Sequence, residues 1–184
     1  MIIQPGKKIS ALLGQLATPE HYLFTPADLR GAIPEFSAGA FKTLLSRSEK
    51  NGRLHRVCRG LYLYPAVDYP RGLVLFHAAA RLRAASFNYL SLETALSDAG
   101  VISQIPLNWI TVMSSGRSNV ISCHQWGTIE FIHTEKKPAD LTKQLTYDSR
   151  CHLWRASVAL ALQDMKDTRR NTDLIDWSVA HEPV

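Results

Sequence analysis

The 184-residue chain is 46% apolar and 20% charged, a composition that excludes wholesale disorder and suffices for one large core or two small ones. Its three cysteines are widely spaced, no window approaches the ~18 apolar residues of a membrane span, and Met1–Ser10 lacks the apolar stretch of a leader, so a cytoplasmic protein without a disulfide framework is expected. The formal charge is +5, and the whole excess falls before residue 65: nine Lys or Arg against four Asp or Glu, then twelve of each.

In chain order, Ile9, Leu12, Leu13 and Leu16 form one apolar stripe on a first helix over Lys7–Ala17. Thr25-Pro26-Ala27-Asp28 follows, with a hydroxyl for the N-cap, proline at the first helical position and an acid at the third. Asp28 is a near-match to the Glu or Gln of a strict capping box. This second helix runs to about Gly31, and Ile33-Pro34 breaks it. Ser37 caps a third helix that extends to about Asn51, with Phe41, Leu44 and Leu45 facing inward and Gly52 as the stop. After Gly52 the period becomes alternating. Leu54, Arg56 and Cys58, then Leu61 to Tyr64, flank Arg59-Gly60 as a hairpin. Three helices and a basic hairpin are the order of a winged helix-turn-helix.

Pro65–Pro70 reads as a link. Beyond it the pattern predicts a helix over Gly72–Ala85, a strand at Phe87–Leu90, and a helix over Ser91–Ala99 capped by Ser91 and ended by Gly100. Leu107–Met113, Asn119–His124 and Thr128–His133 read as strands joined by turns at Ser114–Ser118 and Gln125-Trp126-Gly127. From about Ser149, the run Leu153, Trp154, Val158, Leu160, Ala161 and Leu162 predicts a closing helix, with a further short one over Asp173–Ala180. The expected fold is therefore α+β: a winged helix-turn-helix over residues 1–66, then a mixed α/β domain over 67–184 with a small antiparallel sheet.

Lys42, Arg47, Lys50, Arg53, Arg56 and Arg59 crowd one 18-residue stretch against Glu49 alone. A concentration of this kind suits a polyanion, because neutralising phosphates releases counterions. With Phe41, Leu44 and Leu45 inward, Ala40, Thr43, Arg47 and Lys50 share another helix face, joined at its margin by Lys42 and Ser46. Arg47 is the expected base reader, since a guanidinium bridges guanine O6 and N7 in the major groove. Thr43 and Ser46 reach bases or phosphate, Ser37 stands at the helix start, and Arg53, Arg56 and Arg59 hold backbone or enter the minor groove. The alternative use of such a fold is protein contact.

The phrase Arg56-Val-Cys-Arg-Gly-Leu-Tyr-Leu-Tyr-Pro65, with the helix before it, resembles the start of AbiEi-type antitoxins of type IV toxin–antitoxin systems. Tyr89-Leu90-Ser91-Leu92-Glu93-Thr94-Ala95-Leu96, then Ala99-Gly100-Val101-Ile102 and Trp109-Ile110-Thr111-Val112, resemble that family's second domain. Over Trp154–Leu160 the text departs from the family pattern. The resemblance covers about residues 10–165. It implies a DNA-binding autorepressor of the toxin operon, acting on an operator with inverted repeats. It also implies a cognate nucleotidyltransferase-type toxin, countered functionally rather than necessarily by contact, and self-association on DNA. The alternative is a stand-alone regulator of a mobile element with a C-terminal sensing or partner-binding domain.

Enzymatic chemistry is not expected. Cys123-His124 and Cys151-His152 are adjacent pairs, and neighbours on a strand face opposite sides, so neither offers two ligands to one ion. Glu130 with Glu135-Lys136-Lys137 weakly resembles a metal-dependent nuclease, yet the strand at Trp109–Met113 brings no further acid. No G-x-S-x-G and no phosphate-binding glycine loop occurs, and Ser115-Gly116 reads as a hairpin turn. No metal, cofactor or membrane partner is expected.

Overall fold

The computed structural model describes residues 5–31, 33–103 and 107–180. It divides into two compact units, Met1–Val74 and Leu75–Val184. The expected boundary after residue 66 falls inside the first of these, because Tyr69 stacks on Tyr22 with ring centroids 4.9 Å apart. The Arg71 guanidinium lies over the Tyr69 ring, 5.7 Å from its centroid. Pro65–Pro70 thus belongs to the first unit rather than linking the two.

The first unit comprises α1 (Pro5–Leu16), β1 (Leu23–Phe24), α2 (Pro26–Arg30), α3 (Ala38–Lys50), β2 (His55–Cys58) and β3 (Leu61–Leu63). Ile9 and Leu13 of α1 are fully buried, whereas Leu16 is 48% exposed, so the stripe loses its last member at the helix end. At α2 both halves of the capping box form: Thr25 N donates to Asp28 Oδ2 at 2.7 Å, and Asp28 N to Thr25 Oγ1 at 3.3 Å. Asp28 therefore takes the part of the longer acid. The three strands form an antiparallel sheet in the order β1-β3-β2. Strand β1, two buried residues long, is too short to show alternation, and within this unit it is the strand that the sequence expectation lacks. Ile9, Leu13, Phe24, Leu29, Ile33, Phe41, Leu45 and Leu54 make one core.

A 3-10 turn at Arg71–Leu73 closes the first unit and leads into α4 (Val74–Leu82), which from Leu75 on belongs to the second, followed by β4 (Asn88–Leu90), α5 (Leu92–Asp98), β5 (Trp109–Ser114) and β6 (Asn119–Ser122). The second unit continues with β7 (Thr128–His133), α6 (Pro138–Leu141), β8 (Leu145–Asp148), β9 (Leu153–Ala156), α7 (Val158–Asp167) and α8 (Trp177–Ala180). Its sheet is six-stranded and mixed, in the order β6-β7-β5-β4-β9-β8. The small antiparallel sheet of the chain is the one in the first unit. Residues of α5 and α7 share a core with Tyr89 and Met113 of the sheet.

Three expectations are corrected here. Strands β5 and β6 do not form a hairpin: β7 lies between them, parallel to β5 and antiparallel to β6. The reason is burial, since β5 is buried at five of six positions and takes strand neighbours on both sides, whereas β6 is mostly exposed and sits at the edge. Second, the closing helix begins later than expected, because Leu153–Ala156 is strand β9, parallel to β4. Ser157 separates the two periods, its side chain accepting from Leu160 N at 3.2 Å to cap α7. Third, Ser91 stands at the start of α5 without capping it: its hydroxyl donates to Asp164 Oδ2 at 2.6 Å.

Candidate nucleic-acid interface

Helix α3 is set by local chemistry at both ends. Ser37 Oγ accepts from Ala40 N at 3.2 Å, and beyond Asn51 the chain reverses through Gly52 at φ +67°. Phe41 and Leu45 anchor the inner face, with Leu44 half-buried beside them. A residue that the sequence reading did not single out holds the turn before α3. The Arg30 guanidinium donates to the carbonyls of Phe36 and Ser37 and lies 5.2 Å over the Phe41 ring. The only sequence sign of this role is a basic residue in the last turn of a very short helix.

All nine candidates are exposed: Ser37, Lys42, Thr43, Ser46, Arg47 and Lys50 along α3, and Arg53, Arg56 and Arg59 along the hairpin. The hydroxyls of Ser37 and Thr43 are engaged locally, Thr43 donating to Gly39 O at 3.0 Å. Among the described residues none of the six basic candidates forms an ion pair, while Lys8 and Glu35 in the same unit pair at 2.6 Å. Arg56 faces Tyr62 across the β2–β3 pairing, and the register shifts between Arg56 and Cys58. Arg59 and Gly60 alone connect the two strands, Gly60 at φ +81°, a conformation in which glycine avoids the side-chain clash. The hairpin thus presents Arg59 at its tip.

The second unit treats its charges differently. Asp164 is fully buried and gathers Ser91 Oγ at 2.6 Å, Lys136 Nζ at 2.5 Å and Tyr89 Oη at 3.4 Å. Lys136 also reaches Asp167 at 2.8 Å. Partial burial of the ammonium opposes its charge, but hydrogen bonds to Asp164 and then Asp167 prevail and raise its pKa. Glu130, the acid of the nuclease alternative, is bound by Arg170 at 2.6 Å and accepts from Trp109 Nε1 at 3.2 Å. Lys136 therefore pairs with α7 acids rather than with Glu130. The side chains of Cys58, Cys123 and Cys151 are buried, and burial pushes the Cys151 thiol up to about 11. No group of three metal-ligating side chains occurs among the described residues, and no described helix is long and apolar enough to cross a membrane.

The class defined so far is a mixed α+β chain of two compact units, one of which carries a basic helix and hairpin whose cations form no ion pair among the described residues. No family model and no curated protein matches it. Among solved structures it is similar to the crystal structure of the RV2827C protein from Mycobacterium tuberculosis, with a TM-score of 0.55 at 15% identity. The match covers 95% of this chain and 65% of that one. At this identity the likeness is one of fold.

Proposed function

We propose that the chain is a DNA-binding transcriptional autorepressor of the AbiEi antitoxin type, whose first unit is a winged helix-turn-helix. In this reading α2 and α3 form the helix-turn-helix, α3 enters the major groove and the β2–β3 hairpin is the wing. One observation carries it: the basic residues of Lys42–Arg59 are exposed and form no ion pair among the described residues, while the apolar residues interleaved with them fill a core. Exposed cations without protein partners supply the sequence-independent part of duplex binding. The antitoxin role and its nucleotidyltransferase toxin rest on the sequence resemblance alone. The engagement of Glu130 by Arg170 and Trp109 favours this reading over a nuclease.

The test is a binding titration of the full chain against the DNA upstream of its own reading frame, at several salt concentrations. Affinity should fall steeply with salt. Replacing Arg53, Arg56 and Arg59 together by Ala should flatten the log–log slope by about 3, at ~0.9 for each phosphate no longer neutralised. An unchanged slope in that variant removes the wing from the interface. Footprinting is expected to show two half-sites about one helical turn, or a multiple, apart. Co-expression with the neighbouring gene product then separates antitoxin from stand-alone regulator.

A further inference from the structure

The second unit contains a cleft that the proposed DNA interface does not use. Ala80 and Ala84, Asn88 of β4, and Tyr147, His152 and Trp154 around β8 and β9 line a space of about 250 Å³. That is just below the ~300–1,000 Å³ of sites for drug-sized ligands, and is the scale of one small ring system.

Its walls have a definite chemistry. Tyr147 and Trp154 pair across β8 and β9, their rings 5.3 Å apart at 66°, and both are near half-exposed, at 50% and 42%. His152 adopts φ +57°, a left-handed conformation uncommon for a residue with a side chain. Its ring is stacked on the buried His77 at 4.4 Å and 10°, and His77 Nε2 lies 2.6 Å from Arg150 O. The imidazole is thus held in one orientation against a fixed neighbour. Asn88 donates through Nδ2 to Arg83 O at 2.7 Å and Ser86 O at 2.8 Å, which sets the orientation of the amide. Its Oδ1 is buried and has no hydrogen-bond partner among the described residues. A buried acceptor without a donor is destabilising and is uncommon in a native fold. Arg83 also lines the cleft, but its guanidinium donates to Arg117 O and lies 4.6 Å over the Phe131 ring. The recognition available is therefore aromatic stacking plus one acceptor, rather than capture of an anion.

We propose that this cleft binds a nucleobase, its flat ring stacked on the exposed aromatic side chains and its N–H or exocyclic amine directed to the Asn88 wall. Aromatic platforms accept any base face, and the single acceptor selects a ring that carries a donor. The base belongs either to a free nucleoside or to an unpaired position of a single strand; the chemistry is shared.

The experiment titrates the full chain with adenosine, purine riboside and a (dA)6 single strand, following the Trp indole N–H resonances by NMR. Adenosine should give a saturable shift of the Trp154 resonance, identified by its loss in Trp154→Phe. Purine riboside, which lacks the amine, should bind several-fold more weakly. Tyr147→Ala and Trp154→Ala should each weaken adenosine at least about tenfold with little change in melting temperature, since both side chains are near half-exposed. Equal affinity for adenosine and (dA)6 assigns the site to free nucleosides, and tighter (dA)6 binding assigns it to single strands. No saturable shift at millimolar adenosine overturns the proposal. So does unchanged binding in Trp154→Ala, or N-acetyltyrosinamide binding as tightly as adenosine, which would mark a peptide groove. Arg47→Ala should leave the titration unaltered, so failure of the duplex-binding reading and failure of this one are seen separately.

Discussion

The basic stretch of the first unit and the ionic networks of the second are built from the same residue types and use them in opposite ways. Along Lys42–Arg59 six cations are exposed and form no ion pair among the described residues. In the second unit Lys136 bridges Asp164 and Asp167, Arg155 bridges Asp98 and Asp148, and Arg170 bridges Glu93 and Glu130. A cation held by two carboxylates is part of the fold, and a cation held by none is available to an outside anion. The formal excess of five falls entirely before residue 65, on the side of the available cations. Stability follows the same division, because exposed charges contribute little to it while a buried charge that loses its partner is costly.

The largest test of this contrast is Lys136→Ala. It strips the buried Asp164 carboxylate of its cation, a change expected to cost about 3–5 kcal/mol. Arg47→Ala should stay within about 0.5 kcal/mol of the parent. Urea unfolding of both variants decides, and similar losses would erase the distinction between structural and available charge.

In the proposed duplex-binding role the order should reverse. Arg47→Ala should cost about 1–3 kcal/mol and relax selectivity at one base position, whereas Arg56→Ala should weaken all sequences alike. Competition with variant operators separates the two, and uniform loss for Arg47→Ala would reduce it to a phosphate contact.

A smaller effect concerns where the first unit ends. Tyr69 stacks on Tyr22, so a fragment ending at Val74 should be more stable than one ending at Ala66, by an amount on the scale of an aromatic pair, about 0.5–1.5 kcal/mol. Thermal melts of the two fragments check this, and equal melting temperatures would return Pro65–Pro70 to the role of a plain linker.

The smallest expected effect is on pH dependence. Burial raises the Asp148 pKa, but hydrogen bonds from Arg150 and Arg155 outweigh it and hold the carboxyl below the usual carboxylate range. Its stabilising contribution is therefore complete above about pH 4, the unfolded value, and is lost as pH falls toward the lowered native one. The melting difference between the parent and Asp148→Asn should accordingly shrink on acidification. A difference that does not vary with pH would show that the Arg150 and Arg155 contacts do not depend on the charge.

How much of this was legible in the sequence depends on the distance between partners. The Thr25–Asp28 box, the Ser37 cap, the inner face of α3 and the Arg59-Gly60 turn each rest on residues within about four positions, and composition alone located the charge excess. The exposure of the nine candidates was readable for the same reason, since a helix period and a strand period assign faces locally. Tertiary structure decided what hangs on remote partners. It inserted β7 between β5 and β6, made Leu153–Ala156 a strand beside β4, and took Ser91 from its cap to Asp164, 73 positions away. It also gave Lys136 to α7 rather than to Glu130 and gathered the walls of the cleft from α4, β4, β8 and β9. Short apolar runs fit a buried strand or a helix equally well, and a hydroxyl satisfies either a nearby amide or a distant carboxylate; packing against remote elements makes the choice.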